Sequence, residues 1–162
     1  MYELGPGPWD NEPDRIEFTS RVGGLPCLMR RTQMGAWCGY VAVTRDHPCY
    51  GKGMSDLQFL EAHGGITYGH GCTGEICHVP KEGESDDVWW IGFDCAHAWD
   101  LIPWMVAQRK KDDWPTSNDE LSTVVLVSGY RLGSFIPQEE YRDAEYVREQ
   151  CEELAAQLEQ LR

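Results

Sequence analysis

Two patterns organise the hydrophobic positions of this chain: short strand-like runs separated by turns in its first hundred residues, and a helical period of three to four in its last twenty-five. Arg15 to Ser20 (RIEFTS) alternates apolar and polar residues, as a half-buried strand does. Gly23-Gly24 turns the chain into LPCLMRRT, a second strand, and after Gln33–Gly35 the run AWCGYVAVT (Ala36–Thr44) reads as a third. Their β-branched and aromatic content pairs these last two as an antiparallel hairpin. Gly39 inside a strand predicts a bulge or a close backbone approach.

RDHPCYGKG (Arg45–Gly53) breaks regular structure. SDLQFLEAH then predicts a short helix, capped by Ser55 and ended by Gly64-Gly65. ITYG is a strand, PKEGESDD (Pro80–Asp87) a polar loop, and VWWIGFD a buried strand. CAHAWDLIPWM leaves it as a loop or short helix, with Pro103 admissible only in a first turn. RKKDDWPTSNDE (Arg109–Glu120) reads as an exposed excursion, and LSTVVLV (Leu121–Val127) as the strongest, most central strand.

From Gln138 onward the pattern is helical. Val147, Cys151, Leu154, Leu158 and Leu161 fall on one seam, with eight acids and three bases elsewhere in residues 139–162. Two heptads are too short for a stable free coiled coil, so the seam is expected to dock on its own domain. A homodimer through the same five residues is the alternative. The expected fold is α+β: a mainly antiparallel sheet of five or six strands covered by a C-terminal amphipathic helix. Residues 1–14 form an extended arm pinned by Trp9, 15–137 a single domain, and 138–162 the helix.

The chain's 162 residues suit one core, and 41% hydrophobic with 25% charged residues argues against bulk disorder. Seven tryptophans exceed what so small a domain fully buries, so some are expected to line a binding surface. The net charge of −13 repels phosphate backbones, which excludes nucleic acid as the main partner but not a small anion held by local N–H groups. No run is long and apolar enough to span a membrane. Met1 opens on YELGPGPWDNEPD without the n- and h-regions of a secretory leader, so the seven cysteines are expected as thiols or ligands in a reduced compartment rather than as a disulfide framework.

The chemistry is concentrated between His63 and Asp100, which hold four of the five histidines, three of the seven cysteines and three of the seven tryptophans. In FDCAHAWD, the residues Asp94, His97 and Asp100 are three apart, so one helical turn would set them on one side at the end of a strand. A carboxylate there can orient an imidazole, raise its basicity or share a metal with it. In HGGITY, Gly64 and Gly65 let the backbone approach a ligand or cup an anion, while Thr67 and Tyr68 add hydroxyls and a ring. The plain alternative is a helix ending at Gly64-Gly65. Cys72, Cys77 and His78, with His70 just before them, have the residue types of a zinc site but not its usual spacing. Cys95 is a conceivable nucleophile without a recognisable oxyanion hole. The GxSxG, HExxH and HxE…PCxxC signatures are absent, which removes elbow-type serine hydrolases, zincins and zinc deaminases.

GYVAVTRDHPCYGK, HGGITY, CHVP, WWIGFDCAH..D and YRDAEYVREQCEELAAQL together resemble an uncharacterised family of bacteriophage and prophage proteins. The likeness runs from about Leu25 to Leu158. In that family a glycine follows FDCAHA where this chain has Trp99, which sets a bulky ring near the expected site. The resemblance brings no established activity. It implies a phage accessory protein working in the host bacterial cytoplasm rather than a virion part.

These readings converge on binding without turnover. The expected pocket is lined by His63, Gly64, Gly65, Thr67, Tyr68, Trp89 or Trp90, Asp94 and His97, with no cofactor. Strand alternation allows only one of the two adjacent tryptophans to reach a ligand. The phage resemblance alone adds a ligand class: a nucleotide-derived defence signal that the protein sequesters. One competing expectation is a hydrolase in which His63, Asp94, His97 and Asp100 hold zinc or another divalent ion, with His63, Asp94 and His97 as the catalytic residues. Another is an acidic protein that blocks a host factor.

Overall fold

The computed structural model describes residues 2–111, 126–127, 130–131 and 139–162. Five strands, β1 (Arg15–Thr19), β2 (Pro26–Arg31), β3 (Trp37–Thr44), β4 (Tyr68–Gly71) and β5 (Val88–Asp94), form an antiparallel sheet in the order β1-β2-β3-β5-β4. The helices are α1 (Pro103–Lys111) and α2 (Ala144–Gln160), so the fold is α+β. Pro103 opens α1, where its missing N–H has no intrahelical partner to lose.

β3 is the middle strand, and α2 packs on it and on β2. The sheet face towards α2 carries Cys27, Met29, Val41, Ile91 and Phe93, which meet Val147, Cys151, Leu154 and Leu158 of the helix. Gly39 is what lets the helix come this close. A Cβ there would stand 2.5 Å from the Phe93 ring and 2.7 Å from the Cys151 sulfur. The register of β3 runs unbroken through Gly39, so it marks a close approach and not a bulge. Four of the five stripe residues of α2 are fully buried in this chain's own core, and only Leu161 lies at the surface.

The opposite face buries Leu28, Cys38, Tyr40, Ala42, Val88 and Trp90 under Tyr68, Cys72 and Ile76. The connection after β4 folds back over this face. Arg15 fastens it there, donating to the carbonyls of Glu75 (2.6 Å) and Cys77 (2.7 Å).

Several expectations change in the structure. SDLQFLEAH makes only a 3-10 turn at Met54–Leu57; Leu57 and Leu60 are drawn into the core, and Gly53 at its start has no side chain with which to cap it. The C-terminal helix begins at Ala144, because Glu140 is instead extended and exchanges hydrogen bonds with the backbone of Trp99 and Leu101. Leu126–Val127 pair with Tyr130–Arg131 in a separate two-stranded sheet. The rest of LSTVVLV, and 112–120 of the expected excursion, lie outside the described residues; Arg109–Lys111 belong to α1. Cys72 and Cys77 are joined as a disulfide with Cα atoms 4.6 Å apart, while Cys27, Cys38, Cys49, Cys95 and Cys151 are buried thiols. The tight Thr73–Ile76 turn, closed by two backbone hydrogen bonds, brings the pair together. Zinc ligation by Cys72 and Cys77 is thereby closed off. The N-terminal arm is anchored rather than simply extended: Trp9 is buried in a 3-10 turn and packs edge-on against Tyr141.

No described helix is long and apolar enough to cross a membrane.

Candidate functional site

At the end of β5 the chain leaves the sheet through Cys95, whose amide still bonds to the Trp37 carbonyl at 2.9 Å. It then makes a tight turn in which the Asp100 amide donates to the His97 carbonyl. The turn is locked from inside. Asp100 Oδ2 accepts from the His97 amide (2.9 Å) and from His97 Nδ1 (3.1 Å). The Leu101 amide and Glu140 carbonyl, 2.9 Å apart, tie the segment to the approach of α2.

His63 reaches the same carboxylate from the other side. Its Nε2 lies 2.9 Å from Asp100 Oδ2, and its Nδ1 lies 2.8 Å from the hydroxyl of Tyr146 in the first turn of α2. Arg142 donates from Nε to Asp100 Oδ1 (3.3 Å) and from its terminus to Glu140 (2.8 Å). A carboxylate only accepts, so His63 carries its proton on Nε2 and takes the Tyr146 O–H at Nδ1. His97 likewise donates from Nδ1 and keeps Nε2 free.

Asp100 is thus the hub, with no exposed side-chain surface. Burial pushes its carboxyl up, but the bonds from His63 and from the His97 amide outweigh that and hold it below the ordinary aspartate value. Burial raises the Tyr146 hydroxyl. Burial also raises the Cys95 thiol strongly, and the nearby Asp100 charge adds to this, so Cys95 is an inert core thiol rather than a nucleophile.

Gly64 is required by this geometry. Its φ is +67°, and a Cβ there would stand 2.1 Å from the His97 ring. His97 therefore lies directly over the Gly64 backbone. Its other face is stacked by Trp99, with centroids 4.9 Å apart and planes within 7°. Trp99 is 48% exposed, the largest apolar surface beside the cluster.

Of the residues singled out from sequence, His63, Gly64, His97 and Asp100 come together. Gly65 adjoins them at φ +88°. Asp94 stands at the rim, its Oδ1 accepting from the Ala96 amide (3.0 Å) and lying 4.0 Å from His97 Nδ1. The others lie elsewhere. Thr67 is exposed, and its amide continues the sheet by bonding to Gly92. Tyr68 packs edge-on against Tyr40 on the face away from α2. Trp90 is fully buried on that same face. Trp89 points to the α2 side but sits at the start of β5, five residues and roughly 16 Å from the turn. There it stacks on His70 and donates to the Lys52 carbonyl (2.9 Å). The two tryptophans do alternate, but neither reaches His63.

Sequence reasoning missed Tyr146 and Arg142. Their four-residue spacing, with the Arg142 guanidinium 4.8 Å from the Tyr146 ring centroid, was the one available signal. Nothing in the sequence joined it to a histidine eighty-three positions away.

His63, His97 and Asp100 each offer a ligand atom within 4.8 Å of the others, the one such metal-capable group among the described residues. Ligands around a tetrahedral zinc at ~2.05 Å stand about 3.3 Å apart. The observed 2.9 and 3.1 Å are hydrogen-bond separations a few tenths of an ångström below that value, and the two histidines offer ligand atoms within 4.8 Å of each other. Tyr146 suits both states, since a hydroxyl can donate to His63 Nδ1 or accept from it once Nε2 turns to a metal. Arg142 occupies Oδ1 and leaves Oδ2 for that role. Neither a protein-family profile, nor a curated protein, nor a solved structure matches the chain.

Proposed function

We propose that this protein binds a divalent, zinc-type ion through His63 Nε2, His97 Nδ1 and Asp100 Oδ2 and uses the site for hydrolysis. The carrying observation is the convergence of two imidazoles and one carboxylate within 4.8 Å, with Tyr146 bonded to His63, Arg142 to Asp100 and Trp99 stacked on His97. Three protein ligands with an open fourth position are the pattern of catalytic rather than structural zinc. A bound ion of this kind lowers the pKa of water enough for attack on a phosphoester or amide. Asp94, at the rim and not among the three ligands, is the carboxylate placed to take a proton. Trp99 offers a half-exposed ring for positioning a planar substrate.

The test is metal analysis and calorimetric zinc titration of the purified full chain. About one ion per chain, lost by at least tenfold in affinity in His97→Ala and Asp100→Asn, supports the reading. Absence of saturable binding of any divalent ion, or binding unchanged in both variants, overturns it.

A second reading is sequestration of a small planar ligand, such as a nucleotide-derived signal, without metal or turnover. Its support is that His63 has both ring nitrogens bonded within the protein and that Trp99 is 48% exposed. The residues Trp89, Trp90 and Tyr68 no longer contribute walls to it. A thermal-shift screen over nucleotides in the presence of chelator separates the two readings.

A further inference from the structure

Between the Cys72–Cys77 disulfide and β5 the chain runs as a strap, residues 78–86, that is fastened only at its ends. Among the described residues, every hydrogen bond of 78–86 stays inside the strap or reaches its immediate flanks, and none crosses to the sheet. At the far end Asp87 accepts from Arg45 (2.8 Å) and from the Tyr50 hydroxyl (2.5 Å). At the near end the disulfide closes the Thr73–Ile76 turn, and Arg15 donates to the carbonyls of Glu75 and Cys77.

Little in the strap itself favours the closed position. His78 is its one buried residue, residues 79–86 are all exposed, and Val79 is 80% exposed. The His78 ring meets Trp90 edge-on with centroids 5.5 Å apart, yet neither of its nitrogens has a hydrogen-bond partner among the described residues. The buried Trp90 indole N–H is unpartnered as well. Closure thus takes three polar atoms out of water without replacing their hydrogen bonds, and opening returns them to it. The covalent link at the near end is what opposes opening. That link is also placed to be broken. Cys72 and Cys77 are both partly exposed, whereas Cys27, Cys38, Cys49, Cys95 and Cys151 are buried. Exposed disulfides are the labile ones, because exchange needs an incoming thiolate to reach a sulfur. Burial pushes the Cys27 thiol up to about 12 and the Cys38 thiol up to about 11, so these core thiols supply no thiolate to reshuffle the bond.

We propose that residues 78–86 form a redox-gated strap: the Cys72–Cys77 disulfide latches it over Trp90, and reduction by a dithiol releases it. One thiolate of the dithiol attacks a cysteine sulfur, forming a mixed disulfide and expelling the other cysteine as a thiolate, which takes up a proton. The second thiol of the reductant attacks the mixed disulfide, frees the remaining cysteine and closes a disulfide within the reductant. Two electrons and two protons pass to the chain. Without the cross-link the Thr73–Ile76 turn is free to widen. What then remains at the near end is the hydrogen bonds from the exposed Arg15 and the ion pair of Arg30 with the exposed Glu75, all in competition with water. The released strap bares His78 and the edge of Trp90, while the core between the sheet and α2 stays closed.

The test compares the oxidised full chain with the same chain after dithiothreitol, in chelator throughout so that the metal reading does not enter. Alkylation with mass spectrometry reports each cysteine, and carbethoxylation of His78 by diethyl pyrocarbonate reports the strap. Hydrogen exchange of the Trp90 indole N–H, assigned through Trp90→Phe in ¹⁵N-labelled protein, reports the face it covers. The expected result is alkylation of Cys72 and Cys77 alone, with at least a tenfold rise in both the His78 rate and the Trp90 exchange rate. The amides of β3 are expected to keep their protection, which separates opening of the strap from unfolding. A double variant, Cys72→Ser with Cys77→Ser, is expected to show the raised rates without reductant and no response to it. A pair that resists dithiothreitol until the chain unfolds would overturn the proposal. So would a reduced pair, or the double variant, with both rates within twofold of the oxidised values, and so would loss of β3 protection together with the strap.

Discussion

Two buried histidines stand on opposite sides of the same sheet and meet opposite fates. His63, on the α2 side, has a partner on each nitrogen, and its carboxylate partner Asp100 is itself bound by His97 and Arg142. His78, on the far side, has none among the described residues. The difference shows that burial by itself does not make a histidine structural. His63 is buried inside a closed network, where every group supports the others and where removing one strands the rest. His78 is buried against the Trp90 ring, beside a cleft, and its polar atoms belong to no such network among the described residues.

The sharpest way to break this contrast is Asp100→Ala. It strands Arg142 and two imidazoles in a buried site, and its expected cost is about 3–5 kcal/mol, on the order of 10 °C in Tm. Denaturant titration measures it, and a loss under 1 kcal/mol would mean that the network is not holding the turn. Gly64→Ala comes next, at about 1–3 kcal/mol for the left-handed backbone alone. Because the new methyl runs into the His97 ring, zinc affinity should fall further than stability predicts.

Tyr146→Phe removes one hydroxyl and leaves His63 Nδ1 unpaired, for about 1–2 kcal/mol. Under the metal reading it also lowers zinc affinity 10–100-fold, since it loosens the imidazole that holds the ion. The fourth measurement is acid unfolding. The folded carboxyl of Asp100 lies below its unfolded value of about 3.9, so its contribution is complete above that pH and is lost as pH falls through the folded value. The wild-type chain should therefore lose stability below about pH 4 more steeply than Asp100→Asn does. The smallest effect belongs to the other face: His78→Phe should change stability by less than about 1 kcal/mol, of either sign, because no hydrogen bond is broken. A large loss there would show that His78 is as structural as His63.

Much of the fold was legible from residue type and period. The alternation in RIEFTS, the hairpin of LPCLMRRT and AWCGYVAVT, and the apolar run VWWIGFD each appear as strands, since side chains of those types fit a pleated, buried surface. Pro103 was admissible only in a first helical turn, and it does open α1, although the pattern left this segment as a loop or short helix. The segment SDLQFLEAH was not legible, because a pull on Leu57 and Leu60 from the core overrides local propensity in so short a piece.

The candidate site divides in the same way. The sequence alone singled out the segments HGGITY and FDCAHAWD, which hold His63, Gly64, His97 and Asp100, because glycine beside histidine and acids three apart are local signals. It also determined that Trp89 and Trp90 face opposite ways. Only the tertiary structure decided which of these residues meet. Strand β5 carries Trp89 and Asp94 to opposite ends of one rod, so neighbours in sequence become strangers in space. Helix α2, pressed onto Gly39, brings Tyr146 to His63 across eighty-three positions. The fold likewise decided that Cys72 and Cys77 pair, and that His78 is buried with its nitrogens unanswered. Long-range partners are set by which faces pack together, and a one-dimensional pattern states the faces without stating their mates.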